Sequence, residues 1–287
     1  MIRSLLYVPA SADRFVAKAH ERGADAIILD LEDAIPAHGK DAARAVLAAA
    51  VPAVGRTGAA VFVRVNSEPE RLDLDAEAAC RAGAAGLFVP KVRSPDTLLR
   101  LADRLAPLER ELGRSALRFV PLVEDPGAIL DARAIAAASP RVLAIATGGE
   151  DLATAMDAEP SAEMLRLPKL LVHLAAKAAG ILSFGLLRSI ADYGDADAIA
   201  ASAREARALG FDGASCIHPA VVPILNEAFS PSPAALDKAR RMVVAFDAAA
   251  TEGRGAFVFD GQMVDLPIVD RARRLIARAA SRPGEGI

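Results

Sequence analysis

Apolar residues along this chain gather into eight short runs, separated throughout by Ala-rich amphipathic stretches. The runs are LLYVP from Leu5, AIILD from Ala26, VFVRV from Val61, GLFVP from Gly86, FVPLV from Phe119, LAIAT from Leu143, ILSFGLL from Ile181 and GASCI from Gly213. Continuous apolar strands alternating with helices imply a parallel sheet covered on both faces. Eight such units predict an α/β fold, a closed (β/α)8 TIM barrel over residues 1–225. Residues 226–287 then read as a C-terminal helical extension or lid. Barrels of this kind carry their chemistry where the strands end, so the residues just after each run matter most.

The gaps carry their own punctuation. Ser11 and Asp13 are candidate caps for the first helix and Gly23 its stop. Pro52 is expected to end the second helix, and Pro126 to open the fifth. Pro168 predicts a kink or a helix start inside EMLRLPKLLVHLAAKAAG. SPSP at 230–233 resembles a linker, and GAFVF and DGQMVD flank Asp260-Gly261 as a small hairpin outside the barrel.

Composition narrows the class. Hydrophobic residues make up 53% of the chain, largely Ala, yet no apolar run is long enough to span a membrane. The first apolar run is too short for a signal peptide. A net charge of −3 with the signs interspersed excludes a nucleic-acid footprint, although local basic clusters remain open to a phosphorylated cofactor. Cys80 and Cys216 have no metal-type spacing and are expected as free, buried thiols in a reducing cytoplasm.

Acids and bases converge on the predicted rim. Glu124 and Asp151 follow adjacent strands. Side by side they would repel, which a hard cation such as Mg²⁺ relieves while keeping sites for water and substrate; helix capping or pairing with a rim Arg is the other reading. Asp30, Glu32 and Asp33 end the second strand, placed to hold the waters of a metal or to form a solvated acidic turn. Arg64 alternates with the apolar residues of VFVRV and faces the barrel mouth. It needs an anion there, either a substrate carboxylate or enolate or an acid such as Asp30. Lys91 lies at the same level and suits substrate contact or a salt bridge equally. His218 is favoured as a loop anchor. His20, His38 and His173 form no ligand cluster, and there is no Walker or Rossmann glycine motif.

Taken in order, RSLLYVPAS, GADAIILDLEDAI, VFVRVN, GLFVPKV, PLVEDPGAI, GGEDL, GFDGASCIHPAVV and DGQMVDLPIVDRARR resemble the citrate lyase β-subunit-like family, which includes malyl-CoA and citramalyl-CoA lyases. The resemblance implies Mg²⁺ held by Glu124 and Asp151, with Asp30, Glu32 and Asp33 around its waters. It implies Arg64 as a substrate-binding and catalytic residue, Glu124 bordering the substrate, and Arg14 and Lys91 towards the CoA phosphates or thioester. Asp265 matches an acid that such CoA lyases supply from a C-terminal segment covering a neighbouring subunit's site. The implied enzyme is a cytoplasmic, homo-oligomeric lyase, a trimer or dimer of trimers. It cleaves a short 3-hydroxyacyl-CoA into an acyl-CoA and a 2-oxo acid. Two alternatives go with it: a CoA-independent class II aldolase, and a citrate lyase β-type subunit active only with an acyl-carrier partner. The chain departs from the family pattern at VPAS, in the short stretch between Asp151 and Met164, and at LLRSIADYGD, which leaves the acyl group unassigned.

Overall fold

In the computed structural model, residues 1–191 and 193–280 are described, so residues 281–287 of the expected extension lie outside them. The chain divides into two compact units, residues 2–229 and a second beginning at Ser230.

The first unit is a barrel of eight parallel strands: β1 (Ser4–Pro9), β2 (Ala26–Asp30), β3 (Ala60–Arg64), β4 (Gly86–Val89), β5 (Arg118–Val123), β6 (Ala144–Thr147), β7 (Leu182–Phe184) and β8 (Ala214–Cys216). Their order is β7-β6-β5-β4-β3-β2-β1-β8. The circle closes through a parallel bridge between Phe184 and Gly213, where the Gly185 N–H donates to the Gly213 carbonyl at 2.9 Å. Alternation along each strand sorts side chains into two cores. Ala26, Ile28, Phe62, Phe88, Val120, Leu122 and Phe184 fill the barrel interior. Ile27, Leu29, Val63, Leu87, Phe119 and Ile145 point outward into the layer shared with the helices. The same period sets up the chemistry. Asp30, Arg64 and Glu124 are the next inward positions after Ile28, Phe62 and Leu122, so they stand at the C-terminal mouth on top of a packed apolar column.

The prolines inside the helices behave differently from the expectation. Pro52 lies within the helix Leu47–Gly55 rather than ending it, and the break falls earlier, between Lys40–Ala45 and Leu47–Gly55. Pro168 does not start its element; it lies inside the continuous helix Ala162–Ala179, begun by Ser161, whose side chain accepts from the Met164 N–H at 3.1 Å. In each case the proline removes one backbone bond, while the helix keeps a buried face. Those faces are Leu47, Ala50, Val51 and Val54, and Leu165, Val172 and Ala176. Neither Ser11 nor Asp13 caps the first helix, Asp13–Ala19, which is preceded by Ala12 and lacks a side-chain cap. Pro126 does open its helix, with the Asp125 side chain accepting from the Ala128 N–H at 2.9 Å.

In the second unit, Ser232 and Pro233 of the expected linker instead begin the helix Pro233–Thr251, capped by the Ser232 hydroxyl. The hairpin forms as expected. Strands β9 (Phe257–Phe259) and β10 (Gln262–Val264) pair antiparallel across Asp260 and Gly261, both at positive φ (49° and 77°). The helix Leu266–Ala280 follows. Cys80 and Cys216 are free and buried.

Candidate active site

Glu124 is the centre of the mouth. It follows β5, is buried, and its Oε2 accepts the backbone N–H of Lys91 at 2.7 Å. That N–H is aimed by a left-handed turn, because Lys91 has φ 53°, a conformation that costs an L-residue on the order of 1 kcal/mol. Oε1 of Glu124 accepts no hydrogen bond from a described residue. Beside it runs Gly148, where an added Cβ would fall 2.1 Å from Oε1. Only glycine leaves the carboxylate in place. Burial pushes the Glu124 carboxyl up to about 7, with the Lys91 N–H opposing and Asp151 adding to the shift.

Asp151 sits in the helix Gly149–Ala155 after β6 and lines the same cavity. Its carboxylate makes no hydrogen bond or ion pair with a described residue, and its charge pushes up both the Glu124 carboxyl and the Lys91 ammonium. Two carboxylates with uncommitted oxygens on one cavity fit a hard divalent cation, which takes one or two protein carboxylates and leaves its other positions open. Among the described residues no group of three His, Cys, Asp or Glu is placed to hold a metal ion, so a cation here would rest on these two carboxylates and on groups from outside the chain.

Arg64 meets barrel acids first. Nε and Nη2 donate to the two oxygens of Asp30, each at 2.7 Å, and Nη1 donates to Asp33 Oδ2 at 2.8 Å. Asp30 is fully occupied, since its oxygens also accept the N–H groups of Glu32 and Ala34. Asp30 thus orients the guanidinium and is not available as a ligand. Arg64 still lines the cavity and retains N–H groups beyond these bonds.

Glu32 is buried, 3.2 Å from both Arg64 Nη1 and Lys91 Nζ. The Lys91 contact to Glu32 Oε1 is an ion pair rather than a well-aligned hydrogen bond, so that oxygen keeps room for a further donor such as water. Burial pushes Glu32 up to about 7 against the opposing charge of Arg64. For Lys91, burial pulls the ammonium down but Glu32 outweighs it, and the group stays above its ordinary value. The pairing with Glu32 works against Schiff-base chemistry at Lys91, which needs a depressed amine.

The cavity measures about 470 Å³ and has a polar side (Asp30, Asp33, Arg64, Glu124, Asp151) and an apolar one (Leu122, Ala146, Phe184, Leu186, Ile190, Ile217). Two lining residues escaped the sequence reading. Tyr7 lies on β1, with Arg64 5.0 Å from its ring centroid. Lys169 projects from the helix Ala162–Ala179 and donates to the carbonyls of Leu186 and Arg188 at 2.9 and 2.7 Å. Burial pushes its amine down to about 8. Tyr7 carried a signal in its inward position, two residues before the end of β1. Lys169 lies in a helix, where no strand-end rule points.

Other candidates stand elsewhere. Arg14 is exposed on the helix after β1, over the Phe15 ring at 4.5 Å, and does not line the cavity. Asn66 is consumed structurally, donating to Asp75 and accepting from Lys40. His218 stacks on Tyr193 with centroids 5.1 Å apart, which suits a loop anchor. Asp265 belongs to the second unit, half-buried before Leu266–Ala280, where its carbonyl accepts from the Ile268 and Val269 N–H groups.

A (β/α)8 barrel whose mouth pairs two uncommitted carboxylates with an oriented guanidinium is the framework of a metal-assisted lyase. The chain belongs to the HpcH/HpaI aldolase/citrate lyase family, whose model matches residues 3–219. It is 34% identical to the citrate lyase subunit beta of Escherichia coli K12 over 96% of this chain and 93% of that one. To a (3S)-malyl-CoA thioesterase of Cereibacter sphaeroides it is 35% identical, over 96% and 94% respectively. Among solved structures it resembles the CitE protein of Mycobacterium tuberculosis in complex with magnesium, acetoacetate and coenzyme A. That match has TM-score 0.78 and 31% identity over 97% of this chain and 98% of the other. No helix among the described residues is long and apolar enough to cross a membrane.

Proposed function

We propose that this protein is a Mg²⁺-dependent carbon–carbon lyase that cleaves a short 3-hydroxyacyl-CoA of the malyl-CoA or citramalyl-CoA type into an acyl-CoA and a 2-oxo acid. The observation that carries the reading is the pairing of Glu124 and Asp151, both with free oxygens, across from Arg64 on one cavity. The CitE structure with magnesium, acetoacetate and coenzyme A supports the choice of ion and of thioester.

Glu124 and Asp151 hold the ion, and Glu32 and Asp33 hold its waters. Bound there, Mg²⁺ supplies Lewis-acid polarisation of the substrate's hydroxy-acid end. Asp30 fixes the guanidinium of Arg64, which offsets negative charge growing on the thioester oxygen as the carbon–carbon bond breaks. Lys91 and Arg14 attract the CoA end. Asp265 of a neighbouring subunit moves the proton at the acyl carbon in this reading, within a trimer or dimer of trimers. Val258, Met263 and Leu266 around it are exposed apolar residues, which suits burial against another copy. Complementation tests the shared site. Mixed Asp265→Asn and Asp151→Asn subunits regain part of the activity if Asp265 acts between chains, and none if it acts within its own.

The decisive assay offers malyl-, citramalyl-, methylmalyl- and citryl-CoA with Mg²⁺ and measures both the free 2-oxo acid and the free thiol. Release of 2-oxo acid supports the lyase. Two similarities favour second readings. Thiol release without 2-oxo acid would match the thioesterase relative. Inertness with every free ester, relieved by an acyl-carrier partner, would match the citrate lyase β-subunit. Activity on free hydroxy-oxo acids alone would identify the CoA-independent aldolase. A cytoplasmic location accords with the two buried free thiols.

A further inference from the structure

Tyr7 stands below the mouth on β1 and lines the cavity with Arg64, Glu124 and Asp151. Its ring is accounted for. It meets Phe88 edge-on, with centroids 6.1 Å apart at 72°, and carries the Arg64 guanidinium at 5.0 Å. A phenylalanine would make both contacts, as Phe62 and Phe88 do one with the other. The hydroxyl is what needs explaining, because it hydrogen-bonds to no described residue. It is not one of the fully enclosed side-chain atoms; it opens on the cavity, where water or a ligand oxygen is the partner within reach.

The neighbours do not supply that partner. Asp30 is filled by Arg64 and two backbone N–H groups, and Glu124 Oε2 by Lys91. Burial raises the phenol's pKa, Arg64 opposes, and the charges of Asp30, Glu124 and Glu32 raise it further, so the hydroxyl keeps its proton. A protonated phenol open to an acid-lined cavity is a donor awaiting a ligand oxygen.

We propose that Tyr7 is a substrate-contacting residue whose phenol O–H donates a hydrogen bond to an oxygen of the hydroxy or oxo acid bound between Glu124 and Arg64. The inference rests on the reading of the cavity as a 2-oxo acid site. No proton is transferred; the bond steadies the charge on that oxygen while the acid is held.

Oxalate, a small dicarboxylate with the oxygen spacing of a 2-oxo acid, is the probe. Its affinity is measured by calorimetry with Mg²⁺ on the wild type, Tyr7→Phe and Tyr7→Leu, with melting temperatures alongside. Tyr7→Phe keeps the platform under Arg64 and removes one oxygen. It should melt near the wild type and bind oxalate roughly 10- to 100-fold more weakly, the range for one hydrogen bond to a charged group. Tyr7→Leu also removes the platform and should bind no better than Tyr7→Phe. Equal oxalate affinity in the wild type and Tyr7→Phe overturns the role of Tyr7 and leaves the lyase reading intact. Oxalate binding by a wild type that cleaves no ester overturns the lyase reading, and the affinity ratio still decides Tyr7. A wild type that binds no oxalate overturns the role of Tyr7, while release of 2-oxo acid still decides the lyase reading.

Discussion

Lys91 holds Glu124 with its backbone: the N–H of a residue at φ 53° donates to Oε2 at 2.7 Å, while the side chain of the same lysine pairs with Glu32. One residue thus fixes the central carboxylate and places a cation over the acid beside it. Left-handed backbone on a side-chain-bearing residue at a functional site is strain retained for positioning.

Lys91→Gly separates the two roles. Glycine adopts positive φ freely and keeps the N–H, so the expected melting temperature is equal to or above that of the wild type. The ammonium is lost, and the KM for a CoA ester should rise on the order of tenfold, as for loss of a partly exposed charge contact. Thermal melts and steady-state kinetics on one sample check both halves. A variant that is less stable yet fully active would reverse the assignment.

Gly148→Ala adds the methyl that would lie 2.1 Å from Glu124 Oε1. Glu124 must move, and the fold has room for that because the cavity is open on the other side. The expected result is a soluble barrel with Mg²⁺ affinity reduced by at least about tenfold, equivalent to roughly 1.4 kcal/mol. Calorimetric titration of Mg²⁺ into chelator-stripped protein reads it directly.

Lys169→Met leaves the carbonyls of Leu186 and Arg188 without this donor. An unmet buried carbonyl such as that of Leu186 costs about 1–3 kcal/mol, so the variant should melt measurably below the wild type. Because Leu186 and Ile190 form the apolar side of the cavity, the ratio of kcat/KM between malyl- and citramalyl-CoA should change as well. An unchanged ratio would restrict Lys169 to stability.

The pH dependence follows from burial. Glu124 and Glu32 are each pushed up to about 7. An unfolded glutamate titrates near 4.3, so folding favours proton binding at both. Their protonated forms contribute stability that is fully present below about pH 4 and lost as pH rises through about 7. Metal-free protein should therefore melt progressively lower between about pH 5 and 8. Excess Mg²⁺, which selects the ionised carboxylates, should flatten that decline and bind more tightly as pH rises. Glu124→Gln should show a shallower slope than the wild type in the absence of metal.

The barrel was legible because both of its patterns are local. Period-two strands and period-3.6 helices alternate along the chain, and the strand ends name Asp30, Arg64, Glu124 and Asp151 directly. The partition of roles among the acids was not. Asp30 and Glu32 are two residues apart, yet one is saturated by Arg64 and backbone while the other is held by ion pairs with Arg64 and Lys91, a distinction made only by the packed geometry. Pro52 misled for a related reason: a proline's local cost is fixed, but the buried helix face that offsets it is assembled from distant residues. Tyr7 reads as one more apolar strand residue until its hydroxyl is seen to lack a partner. Lys169 becomes informative only when β7 brings two carbonyls to it.

The central claim, that Glu124 and Asp151 hold the ion on which cleavage depends, is tested by adding Mg²⁺ back to chelator-treated protein while following 2-oxo acid release from malyl- or citramalyl-CoA. The account predicts a silent metal-free wild type that regains full activity, and an Asp151→Asn variant that stays folded and inactive across the same titration. Cleavage by the stripped wild type, or a wild-type rate in Asp151→Asn, would contradict it.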